Sequence, residues 1–231
     1  MNPSTQGRPP YRLAFCPRAE AERAASLPAD VRDLFSAPEL AELDALPERR
    51  LRDRLAGRLA AKRALAAHFS AECGWDAEAR DLAIFNDESG RPFLRLPAGA
   101  PAEAPSFSIA HSSAGGICAV AAPGRRVGAD IETVVARPVE VLAFVSTPDE
   151  LAGATPSNPE AQARLWTGKE AALKLLGLGL DADARAVRAV DGDVAYTGAP
   201  ADAWRALGSP RVRLSFERAE TAMISVAYTG D

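Results

Sequence analysis

An α+β fold of two similar halves, each a helix packed on a small antiparallel sheet, is what this sequence predicts. Three observations predict it. In each half one long helical pattern precedes short segments of strand character punctuated by Asp, Gly and Pro, an order that suits a helix laid on hairpins. The last strands echo one another, Ala119-Val120-Ala121-Ala122-Pro123-Gly124 in the first half and Ser225-Val226-Ala227-Tyr228-Thr229-Gly230 in the second, each after a segment containing Ser and Phe. With 231 residues, 47% of them hydrophobic, the chain has ample material for a folded core. The expected organisation is a loose polar tail over 1–10, a first half over 11–125 and a second half over 126–231.

The first long helix is expected from about Arg49 to Phe69, where Leu51, Leu55, Leu59, Leu65 and Phe69 form an apolar arc. Arg58 and Lys62 fall inside that arc, and two cations amid an apolar stripe are costly without partners. An anionic ligand, carboxylates from the facing half, or simple snorkelling would each account for them. Arg50, Arg52 and Arg63 lie elsewhere on the helix and read as solvated charges. His68 receives no role, and Trp75 and Trp204 read as packing residues.

A strand beginning at Phe107 ends in His111, and Ser112, Ser113, Gly115 and Gly116 turn the chain. After the Pro123-Gly124 turn, Val127 to Val134 alternates as a strand, so Asp130 and Glu132 share one face while Ile131 points into packing. The second long helix spans Pro159 to Leu176, with Ser157 or Asn158 at its N-cap and Gly177 and Gly179 stopping it. On it Trp166, Glu170 and Lys174 are successive i, i+4 neighbours. Lys169 falls in the middle of an apolar arc of Leu165, Trp166, Ala172, Leu173 and Leu176, where it must snorkel or meet an anion. Trp166 reads as core or as a wall of a site.

Three carboxylates and two lysines on these two segments are the inventory for holding a hard divalent cation against a phosphorylated substrate, and Mg²⁺ suits three oxygen ligands with water and phosphate in its remaining positions. Taken singly, each segment has a plainer reading: a solvated strand face, or an ordinary helix pair worth a few tenths of a kcal/mol. Net charge of −4 carries no nucleic-acid footprint. Cys16, Cys73 and Cys118, odd in number and without CxxC spacing, read as reduced thiols of a cytoplasmic protein. No apolar run approaches the roughly 20 residues of a membrane span, and Met1 to Pro10 has no signal-peptide character.

Gly128-x-Asp130-x-Glu132 followed by Trp166-x-x-Lys169-Glu170-Ala171 and Lys174 resembles the signature of 4′-phosphopantetheinyl transferases, specifically the monomeric surfactin-synthetase-activator type. Gly57-Arg58 with Lys62, Gly90-Arg91-Pro92 and Ser108-Ile109-Ala110-His111-Ser112 resemble further motifs of that family in the same order, so the resemblance covers roughly residues 35 to 180. Arg91 stands where the family usually has Lys, which keeps the charge and adds a bidentate fork. Ala110 stands where it has Ser, so a hydroxyl contact falls to Ser108 or Ser112. The family's additional acidic residue falls at Asp149 or Glu150, with Glu150 favoured.

The resemblance implies a pseudo-twofold pair of halves with the ligand between them. It implies transfer of 4′-phosphopantetheine from coenzyme A to a serine of an apo acyl or peptidyl carrier protein, the holo-[acyl-carrier-protein] synthase type of activity. Asp130, Glu132 and Glu170 would hold Mg²⁺, or Mn²⁺; Arg58, Lys62, Gly90, Arg91, Pro92, His111, Lys169 and Lys174 would bind coenzyme A. Lys174 would neutralise the leaving adenosine 3′,5′-bisphosphate, and Glu170 or a water it orients would take the serine proton. Carrier docking is expected at residues 175–180 or 136–144, and a monomer is expected because one chain supplies both sides of the cleft. Two other readings stay open: a different metal-dependent phosphohydrolase, and a non-catalytic coenzyme A or carrier-protein binding module.

Overall fold

The computed structural model describes residues 9–179, 182–190 and 192–230. The first half runs β1 (Tyr11–Pro17), α1 (Arg18–Ala24), α2 (Ala29–Arg32), α3 (Ala37–Asp44), α4 (Glu48–Cys73), β2 (Ala83–Asn86), β3 (Pro92–Arg95), β4 (Phe107–Ser112) and β5 (Gly115–Ala121). The second runs β6 (Val127–Thr133), α5 (Val139–Ala143), α6 (Pro148–Gly153), α7 (Pro159–Leu175), β7 (Val187–Val190), β8 (Asp193–Tyr196), α8 (Gly198–Ala206), β9 (Val212–Ala219) and β10 (Ala222–Thr229). All strand pairing is antiparallel, in sheets ordered β1-β5-β4 and β6-β10-β9-β8-β7 with a separate β2-β3 hairpin. This is the α+β architecture expected from the sequence.

The two large sheets are built alike. The order β1-β5-β4 recurs as β6-β10-β9, with α4 lying on one sheet and α7 on the other. Glycine makes that contact close: a Cβ on Gly116 would fall on the Ala56–Gly57 backbone of α4, and one on Gly128 would fall on the Ala171 and Leu175 backbone of α7. The halves meet where β4 runs against β6. There the Ser108 hydroxyl accepts from the Ala129 amide at 3.0 Å, and a second tie joins the Tyr11 and Ser215 hydroxyls at 2.6 Å. Apolar side chains from both sheets, among them Ile117, Ala119, Ile131, Ile224 and Val226, form a shared core across that seam.

Helix α4 is longer than its apolar arc indicates, running on to Gly74 in the left-handed conformation at its C-cap. Helix α7 begins at an Asn158 side chain that accepts from the Ala161 amide, which decides between the two candidate caps. Of the expected tail, residues 1–8 lie outside the described residues, and Pro10 is already tied to the sheet edge through its carbonyl and the Ala122 amide. No helix among the described residues is long and apolar enough to cross a membrane.

Candidate active site

Alternation in β6 sets Ile131 into the shared core and turns Asp130 and Glu132 to its other face, toward α7. Asp130 is buried; its Oδ1 accepts from Lys174 Nζ at 2.7 Å, while its buried Oδ2 has no partner among the described residues. Glu170, one turn before Lys174, is also buried and makes no hydrogen bond or ion pair among the described residues. Glu132 is held at 2.8 Å by Arg137, whose guanidinium lies over the Trp166 ring, so Trp166 acts as a wall of the site through that arginine.

Electrostatics tie the three carboxyls together. Burial, then the Asp130 charge, pushes Glu170 up to about 7, with Lys174 opposing and Glu132 adding a smaller push. Burial likewise raises Asp130, against Lys174, and raises Glu132 with help from Asp130. The orphaned Asp130 oxygen, the unpartnered Glu170 and the all-oxygen chemistry fit a hard divalent cation. Among the described residues, however, no group of three or more His, Cys, Asp or Glu side chains is gathered tightly enough to hold a metal ion in this arrangement.

Beside the carboxylates a cleft of about 430 Å³ opens between α4, the β2-β3 hairpin and β4. Arg50, Arg54 and Arg58 line it from α4, one helical turn apart, with Asn86, Gly90 and His111 opposite. Arg58 is 4% exposed and its Nη1 has no partner among the described residues; burial, then the nearby Arg54 charge, lowers it to about 10. His111 is where cleft and carboxylates meet, for its imidazole is lowered first by burial and feels Asp53, Lys174, Arg54 and Asp130.

The structure thus brings together Asp130, Glu132, Glu170, Lys174 and His111, and sets Arg58, Gly90 and Pro92 in the adjoining cleft. It pairs Lys62 and Lys169 elsewhere, each within the fold. Lys62 is 3% exposed and is held by Glu39 Oε2 at 2.9 Å and the carbonyls of Ala79 and Leu82. Lys169 is 3% exposed and is held by Glu150 Oε2 at 3.0 Å and the carbonyls of Ala184 and Val187. All three donors of each ammonium are used within the fold. Glu150 is thereby drawn away from the carboxylate set, being also the capping-box residue of α6 through the Thr147 amide, while Asp149 is exposed on the same short helix.

Other placements differ from expectation. Arg91 does not line this cleft; its guanidinium lies against Gly177 beyond α7. Ser108 Oγ accepts from the Ala129 amide at the seam, and Ser112 Oγ accepts from the Ala114 amide. Leu175 and Leu176 are buried, which removes them from any docking edge, whereas Val139, Val141 and Phe144 are exposed; Leu180 lies outside the described residues. Arg50 is a cleft residue rather than a free surface charge, whereas Arg52 and Arg63 pair with Glu48 and Glu20 at the surface. Arg54 was legible only as spacing, since Arg50, Arg54 and Arg58 recur at i, i+4, i+8, and no sequence pattern marked Asn86.

The stretch holding β6, α7 and the intervening helices decides the comparison with known families. Residues 126–205 match the family model of the 4′-phosphopantetheinyl transferase superfamily. That match covers the carboxylate set and Lys174 and stops short of the arginine cleft. Among solved structures, a holo-ACP-synthase from Plasmodium yoelii aligns at 20% identity and a TM-score of 0.37, over 46% of this chain and 96% of that one. A holo-[acyl-carrier-protein] synthase from Neisseria meningitidis aligns at 18% identity and a TM-score of 0.34, over 46% of this chain and 98% of that one. Among curated proteins no match is found.

Proposed function

We propose that the protein transfers the 4′-phosphopantetheine group of coenzyme A to a serine of an apo acyl or peptidyl carrier protein. The observation that carries this reading is the Asp130–Lys174 pair at 2.7 Å, flanked by Glu132 and Glu170 and adjoining an arginine-lined cleft through His111. The family match over residues 126–205 supports it.

In this reading Arg50, Arg54, Arg58 and His111 bind the nucleotide end of coenzyme A, and the diphosphate reaches the carboxylates. Asp130, Glu132 and Glu170 are the residues that would hold Mg²⁺ or Mn²⁺. When bound there, such an ion would supply positive charge to the diphosphate. The carrier's serine oxygen forms a bond to the β-phosphorus as the bridging P–O bond breaks, and adenosine 3′,5′-bisphosphate leaves. Lys174, already beside Asp130, neutralises that leaving group. Glu170 would take the serine proton, directly or through a water it orients. Positioning and charge neutralisation supply most of the effect, as phosphoryl transfer requires.

Intact-protein mass spectrometry of an apo carrier protein incubated with this protein, coenzyme A and Mg²⁺ tests the reading. The expected result is a gain of one phosphopantetheine, abolished by EDTA. Binding of coenzyme A with no gain across fatty-acid, polyketide and nonribosomal-peptide carriers would replace it with the binding-module reading, and hydrolysed coenzyme A without transfer with the phosphohydrolase.

A further inference from the structure

Asn86 ends β2, two residues after Ile84 and on the same side of the strand. Ile84 is fixed from beneath, its amide donating to Glu39 Oε1 at 3.0 Å. At the strand's end Asn86 Oδ1 accepts from Arg54 Nη1 at 2.6 Å and from Arg58 Nη2 at 2.7 Å. Its amide nitrogen donates to the Gly90 carbonyl across the hairpin turn, which fixes which end of the side chain faces the arginines.

Two guanidiniums one helical turn apart repel, and Arg58 shows that repulsion on top of its burial. A fold arranged for stability alone would answer them with a carboxylate. The nearby acids are engaged elsewhere or stand off: Asp53 pairs with Arg18 at 2.6 Å, Glu39 is taken by Lys62, and Glu42 forms no ion pair among the described residues. Neither Arg54 nor Arg58 has a carboxylate within ion-pair distance among the described residues, and Arg58 Nη1 is buried with no partner at all. A neutral amide therefore orients both side chains and leaves both without an ion-pair partner among the described residues, with Glu39 and Glu42 acting on Arg58 only at longer range.

We propose that Asn86 is a positioning residue, gathering Arg54 and Arg58 into one dicationic fork that receives a phosphate group of the bound nucleotide. The inference rests on the coenzyme A reading of the cleft. A carboxylate in its place would still accept from both arginines but would lose the donor to the Gly90 carbonyl and offset one of the two positive charges, whereas a small apolar residue would keep both charges and lose the geometry.

Titration calorimetry with adenosine 3′,5′-bisphosphate reads binding without any transfer step. Asn86→Asp is expected to weaken binding at least tenfold and to flatten its dependence on salt; Asn86→Ala is expected to weaken it three- to tenfold while keeping the salt dependence. In the transfer assay the KM for coenzyme A should rise by the same factors with kcat within twofold, a split that loss of folded protein would not give. Circular dichroism melts check that both variants fold, and Asn86→Ala carries the test if Asn86→Asp does not. Wild-type binding matched within twofold by the folded variants overturns the role of Asn86 alone. No binding by the wild-type protein overturns the coenzyme A reading, and this inference with it.

Discussion

Lys62 and Lys169 occupy the same station in the two halves. Each rises from the long helix into a glutamate that sits third in a capping box, Glu39 after Ser36 and Glu150 after Thr147, and each donates to two carbonyls three residues apart, Ala79 and Leu82 or Ala184 and Val187. Each lysine thus pins a short capped helix and the turn before an antiparallel strand onto its long helix.

Removing one partner should expose how much depends on that station. Lys62→Met leaves Glu39 buried and unpaired, and the expected loss is about 3–5 kcal/mol in chemical denaturation. The double variant Lys62→Met with Glu39→Gln should recover part of it. A single-variant loss below about 1 kcal/mol would show that the buried pair is not a fastening point.

Glu170 makes stability fall as pH rises. Its folded-state pKa of about 7 lies above the ordinary 4.5, so its ionisation opposes folding. The opposition is absent at acid pH, grows between those two values and is complete above about 7. Glu170→Gln should therefore raise the melting temperature at pH 8 in the presence of EDTA, make little difference at pH 5, and lower transfer by orders of magnitude. A variant that melts lower than wild type at pH 8 would remove Glu170 from the repelling set.

Cys16 and Cys118 are buried, and burial pushes the Cys16 thiol up to about 12, whereas Cys73 is exposed at the end of α4. Iodoacetamide on the native protein should modify Cys73 alone, with the other two reacting only in denaturant. Peptide mapping reads this directly.

Gly128→Ala should destabilise the second half by about 1–3 kcal/mol or more, since the added methyl meets backbone that has no rotamer to move. The same change at Gly124, a turn glycine with open space around it, should act only through its φ of +74°. Equal melting temperatures for wild type and Gly128→Ala would mean that α7 rides farther from β6.

Much of this was legible in the sequence where side-chain periodicity carries it. Alternation over Val127–Thr133 placed Asp130 and Glu132 on one face, and 3.6-residue spacing placed Glu170 and Lys174 beside them. The same periodicity showed that Lys62 and Lys169 sit in apolar arcs but not what they meet there, because their partners lie some distance along the chain in other elements. The capping box of Ser36 and Glu39, and the lysine its carboxylate also receives, emerged only with the fold. Arg50, Arg54 and Arg58 recur at one-turn spacing, yet a charged stripe on a helix end looks the same whether it faces solvent or a cleft.

Backbone packing has one more consequence. A Cβ on Gly116 would meet the Ala56–Gly57 backbone of α4, so the floor beneath Arg58 and His111 rests on main-chain contact between β5 and α4, with the Ile109 side chain of β4 packed against Gly57 beside it. The walls that carry the cations then keep their spacing whether or not a ligand lies between them. Association consequently has little ordering entropy to overcome on the protein's side, and affinity is left to depend on the charges and on the carrier's own freedom.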